Sequence, residues 1–248
     1  YSGSARNVAF QQCGASSVSL ICNDTHNPMR PITDYVSVID LGAPAMRHTG
    51  ATMNIGSGGS TAVSAGTFFQ QVTSEQADLS ESWANSLELY ITPWGFLKGA
   101  AKNGATSNRR TLNGNSYRVL SWSPEVKAPS GASYVVNGYL NDDNLVEHVE
   151  TWMGDNIMGD MHILASYDGW RDFGGFLAPT QISQTRGGWP FFEVDITAAD
   201  ANMRNVASML PAPESSGRGF GGGGGPVNVT PERLGDGFYR LNSGPGSY

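Results

Sequence analysis

A mainly β, antiparallel fold is what this sequence predicts, on three observations. Asn137–Pro190 reads as short runs of strand-forming residues, among them Val146, Val149, Trp152, Ile163, Tyr167 and Ile182. Asn141-Asp142-Asp143-Asn144, Gly174-Gly175 and Gly187-Gly188 separate those runs, and such residues tolerate the backbone of tight hairpins. The composition agrees. Of 248 residues 32 are glycine, 15% are charged and 10% are aromatic, which is turn-rich yet unlike a disordered acidic chain.

Residues 1–10 and 32–41 read as strands, and Tyr35-Val36-Ser37-Val38-Ile39 combines alternation with an apolar run. Residues 45–54 form the expected return strand. A Gly/Ser loop over 55–65 includes Gly56-Ser57-Gly58-Gly59-Ser60, and 67–72 reads as a further strand. The helical signal follows. Leu79, Trp83, Leu87 and Tyr90 recur at steps of four, four and three, which places them on one face. Thr92-Pro93 suits an N-cap and first helical position. Phe96, Leu97, Ala100 and Ala101 then make a second apolar face, stopped by Gly104. The insert at 78–104 is therefore two short helices packed on the sheet, not a cofactor box. Residues 115–123 and 132–140 are further strands, and the meander runs to about Thr197.

The expected β domain spans 1–200. Residues 201–226 are a Pro/Ser/Gly linker with five consecutive glycines, Gly221–Gly225, too poor in apolar side chains to pack. In 227–248, Leu234–Leu241 reads as two short strands around Asp236-Gly237. A lone hairpin is marginal in water. Phe238, Tyr239 and Leu241 are therefore expected to be buried at a contact, as a docking arm that joins its own sheet edge or another chain.

Net charge is −7, from 15 basic and 22 acidic residues, and Arg109-Arg110 is the longest basic run. Phosphate binding needs clustered Lys and Arg, so no nucleic-acid partner is expected. No apolar run approaches the length of a membrane-spanning helix. The chain opens at Tyr1 without an initiator Met, which reads as a processed or incompletely observed chain. Cys13 and Cys22 are close, even in number and set in polar surroundings. That favours a local disulfide in an exported protein, contributing roughly 2–3 kcal/mol; the alternative is two unrelated buried thiols.

His148 and Glu150 are two apart on a strand and share a face, and His162 lies on the next strand. A turn centred near Asn156-Ile157 would set His162 opposite Trp152 and near Glu150. Such a cluster could hold a metal or move protons, but a polar solvent face of an antiparallel sheet is the commoner use. No metal and no cofactor are therefore expected. The acidic turns lack the spacing of a calcium loop, no Gly-x-Ser-x-Gly elbow occurs, and no catalytic residue is assigned. Asn23-Asp24-Thr25 and Asn228-Val229-Thr230 fit the N-glycosylation pattern.

Several longer runs carry a resemblance: ITPWGFLKGAA (Ile91–Ala101), VNGYLNDDNLVEHVETW (Val136–Trp152), Gly159–Pro190 and VTPERLGDGFYRL (Val229–Leu241). They resemble large exported bacterial proteins in which a β-rich N-terminal domain precedes a metallo-β-lactamase-fold hydrolase domain. The meander also looks like the curved open half-barrel of periplasmic lipoprotein-carrier proteins, which has helices across its mouth. The first resemblance implies that residues 227–248 are the first hairpin of the hydrolase domain. That family's metal motif is His-x-His-x-Asp-His, whereas His26, His48, His148 and His162 are all isolated from one another. No enzymatic activity is expected of this chain.

The expected function is a non-catalytic binding or assembly module, periplasmic or extracellular. It would be an accessory or structural subunit docking on another protein or membrane complex. The alternatives are a carrier of a lipid or other apolar ligand, and the N-terminal part of a hydrolase.

Overall fold

The computed structural model describes residues 1–7, 29–53, 61–70, 87–128, 131–155, 159–210 and 229–243. Cys13, Cys22, the Gly56–Ser60 loop, Leu79 and Trp83 lie outside them. The chain divides into a unit over Tyr1–Leu210 and a second over Pro211–Tyr248.

The first unit is an open antiparallel sheet of 11 strands. In chain order these begin with β1 (Ser2–Asn7), β2 (Arg30–Asp40), β3 (Ala45–Met53) and β4 (Thr61–Gln70). Helix α1 (Pro93–Lys102) follows, then β5 (Thr106–Leu112), β6 (Asn115–Trp122), β7 (Val136–Leu140), β8 (Val146–Asp155) and β9 (Gly159–Asp168). A two-residue pair, β10 (Arg171–Asp172) and β11 (Leu177–Ala178), stands apart from the sheet before β12 (Gln181–Arg186) and β13 (Trp189–Ala198). The spatial order is β4-β3-β2-β1-β13-β12-β9-β8-β7-β6-β5. The chain therefore runs outward from β1 to one edge, crosses to the other edge, and returns along the meander to close beside β1. Among the described residues β4 and β5 do not meet, and the sheet is not a barrel.

The expected turns form where the sequence placed them. Gly187 and Gly188 have φ of 57° and 84° between Arg186 and Trp189, a left-handed pair that matches the twist of the flanking strands. Other boundaries move. β4 begins at Thr61, inside the expected Gly/Ser loop, and β7 begins at Val136, not 132. Strand β5 is unanticipated: TSNRRTL has no apolar alternation, because as a terminal strand it packs little.

Thr92 caps α1 as expected, accepting a hydrogen bond from the Gly95 amide at 3.1 Å, with Pro93 at the first position. The apolar face of α1 needs correction. Phe96, Gly99 and Ala100 are buried, whereas Leu97 is 40% exposed and Ala101 is also exposed. Steps of three and four from Phe96 stay on the sheet side; one further residue rotates the side chain about 100° away. Phe96 packs over Gly138 in a core with Trp122, Val136, Val149 and Ile163. Residues 87–90 are helical, and Leu87 is buried with Ala128 and Tyr134.

The compact unit continues beyond residue 200. A single turn, α2 (Val206–Met209), lies near β2, and Arg47 Nη1 donates to the Met209 carbonyl at 3.5 Å. Among the described residues the second unit holds a hairpin, β14 (Val229–Gly235) paired with β15 (Phe238–Ser243).

Candidate functional site

The sheet face opposite α1 gathers the polar residues that the sequence singled out. Alternation along β8 puts His148, Glu150 and Trp152 on one side and the buried Val149 and Thr151 on the other. The register sets Trp152 opposite His162, as the turn position predicted, and Asn137 opposite Glu150.

Glu150 is the centre of this face. His162 Nε2 lies 2.9 Å from its Oε1, and the Tyr139 hydroxyl donates to Oε2 at 2.9 Å. Asn137 Nδ2 donates to the same Oε2 at 3.2 Å, and Ser121 Oγ donates to Asn137 Oδ1 at 2.7 Å. His162 also leans on Trp152, with ring centroids 5.1 Å apart. His148 does not join Glu150. Its Nδ1 pairs with Ser166 Oγ at 2.9 Å and its Nε2 lies 3.4 Å from the Tyr117 hydroxyl.

Burial lowers the His148 pKa, outweighing the opposite pull of Glu147 and Asp168. Burial likewise raises the Tyr139 phenol, reinforced by its hydrogen bond to Glu150. Neutral imidazole and neutral phenol suit a network that stitches β6, β7, β8 and β9 together. Of the three candidates the structure brings His162 and Glu150 together and leaves His148 with Ser166 and Tyr117; among the described residues no group of three His, Cys, Asp or Glu side chains that could hold a metal ion is found. Three donors already occupy the Glu150 carboxylate, and both ring nitrogens of His148 are engaged. Tyr139, Asn137, Tyr117 and Ser166 were not legible as members, because cross-strand register selects them and no spacing in the sequence encodes it.

A second feature is a cavity of about 640 Å³ at the end of β2. Val38, Leu41, Trp94, Phe176, Met203 and Val206 line it, and Asp40, Asp200 and Arg204 supply its charges. Trp94 and Phe176 stack there with centroids 5.4 Å apart.

No family model, curated protein or solved structure matches this chain.

The C-terminal hairpin pairs only with itself among the described residues. Phe238, expected to be buried at a contact, is 72% exposed in the single chain, and Leu234 is 62% exposed. Leu234 and Phe238 flank the Asp236-Gly237 turn on a two-stranded sheet, which offers no facing layer of its own to pack on. The side chains of Tyr239 and Leu241 lie outside the described residues.

Proposed function

We propose that this chain is a non-catalytic binding and assembly module of an exported protein, and that its C-terminal hairpin is the element that docks. One observation carries the reading: Phe238 and Leu234 stand 72% and 62% exposed on a two-stranded sheet that has no third strand among the described residues. Large apolar side chains on an otherwise marginal hairpin are stabilised by a partner surface. The resemblance of Val229–Leu241 to the opening of a metallo-β-lactamase-fold domain supports a domain of that fold as the surface. Export rests on the same resemblance and on the closely spaced Cys13 and Cys22. Hydrogen exchange tests docking. In the assembled protein, residues 229–243 should be protected, and Leu234→Ser with Phe238→Ser should remove that protection alone. A hairpin that exchanges like an unfolded peptide in every preparation removes this reading.

The cavity favours a second reading, a carrier of an apolar ligand. Its volume of about 640 Å³ lies within the range of small-molecule sites, and its walls are mostly apolar with a few charges. Solvent extraction of the native protein followed by mass spectrometry should yield a stoichiometric lipid. A lipid-free extract from protein purified without detergent counts against it.

A further inference from the structure

Between Glu88 and Glu125 the sequence holds five basic residues, Lys98, Lys102, Arg109, Arg110 and Arg118, and no acidic one. The remaining ten of the 15 basic residues share the rest of the chain with all 22 acidic ones. In a protein of net charge −7 this is a segregated positive block. The fold places it at one border, because α1, β5 and β6 are contiguous and β5 is the terminal strand.

The backbone of β5 is open on its outer side. Leu112 pairs with Asn115 across the two-residue turn Asn113-Gly114, so Leu112, Arg110 and Asn108 make the ladder bonds to β6. The N–H and C=O groups of Thr111, Arg109 and Ser107 then point away from β6. Among the described residues no strand meets them.

The side chains fit an anionic visitor. Arg109 sits directly opposite Arg118, both are exposed, and neither forms an ion pair with a described residue. Like charges in directly opposed positions destabilise a sheet. A single edge charge guards against unwanted pairing; an opposed Arg pair within an acid-free block exceeds that need. Arg109 and Arg110 are consecutive, so they project to opposite faces. A lipid surface would meet one face, whereas an added strand meets both.

We propose that β5 is a docking edge for an extended acidic segment of a partner protein. The segment adds as one more antiparallel or parallel strand, with carboxylates beside Arg109 and Arg118 on one face and, on the other, beside Arg110, which also hydrogen-bonds the Tyr139 hydroxyl. This goes beyond the docking hairpin and does not depend on it.

The test uses the full chain and a fluorescein-labelled decapeptide of alternating Glu and Val, with its Lys–Val counterpart as control. Fluorescence anisotropy should show binding of the Glu peptide only, weakening as salt rises. Ser107→Pro removes an outward N–H and spares the ladder. It should weaken binding about tenfold or more, as should Arg109→Glu with Arg118→Glu. N-methylation of alternate peptide amides should also abolish binding to the unaltered protein, which keeps the test independent of variant folding. Equal binding of both peptides, or retained binding after N-methylation, overturns the proposal. So does binding of phosphatidylglycerol vesicles that survives Ser107→Pro while the peptide does not bind, or binding of neither probe.

Discussion

Gly138 lies in β7 beneath the ring of Phe96, and Gly138→Ala tests whether α1 is seated on the sheet. A Cβ at this position would come within 2.1 Å of Phe96 Cε1 and 2.2 Å of Cζ, far inside van der Waals contact. The ring has no room to yield, since Phe96 is 0% exposed and packed against Trp122, with centroids 6.0 Å apart. Overpacking of this kind costs about 1–3 kcal/mol. Alanine also narrows the unfolded ensemble, which offsets about 0.4–1 kcal/mol. The expected net destabilisation is roughly 1–2 kcal/mol. Phe96→Ala alone should cost about 3–5 kcal/mol. In that background the clash is gone, so Gly138→Ala should be neutral or stabilising, with a coupling above about 1 kcal/mol. Urea denaturation followed by tryptophan fluorescence measures all four corners of the cycle, with constant m as the check on two-state behaviour. Changes within about 0.5 kcal/mol for Gly138→Ala in both backgrounds would refute the packing of α1 on β7.

Leu87→Ala should cost about 2–5 kcal/mol, because Leu87 is buried with Tyr134; an unchanged denaturation midpoint contradicts that burial. Burial lowers the His48 imidazole from 6.5 to about 4. Between those values the unfolded chain binds more protons, so this contribution is whole above pH 6.5 and is lost as pH falls toward 4. His48→Phe should flatten the acid side of the stability profile, and an unaltered slope contradicts the assignment. Cys13 and Cys22 should resist thiol labelling in the unfolded, unreduced protein; quantitative labelling of both would remove the disulfide and weaken export.

The meander was legible because its signals are local: Gly187-Gly188 and Asn141–Asn144 mark turns whatever the rest of the chain does. The pairing of His162 with Glu150 was legible for the same reason, since one hairpin turn fixes it. Long-range features were not. The network partners of Glu150 depend on the register of β6 and β7, and the cavity brings Val38, Trp94, Phe176 and Met203 together from separate elements. Strand β5 was invisible because a terminal strand carries little of the apolar alternation by which strands are recognised. Leu97 was misplaced because apolar composition was read where helical phase decides.

The docking claim is tested most directly by native mass measurement of the purified protein with and without residues 226–248. The intact chain should be found in a larger assembly, and the truncated chain should be found alone, with an unchanged β-sheet circular dichroism spectrum. A truncated chain that assembles as completely as the intact one would contradict the account.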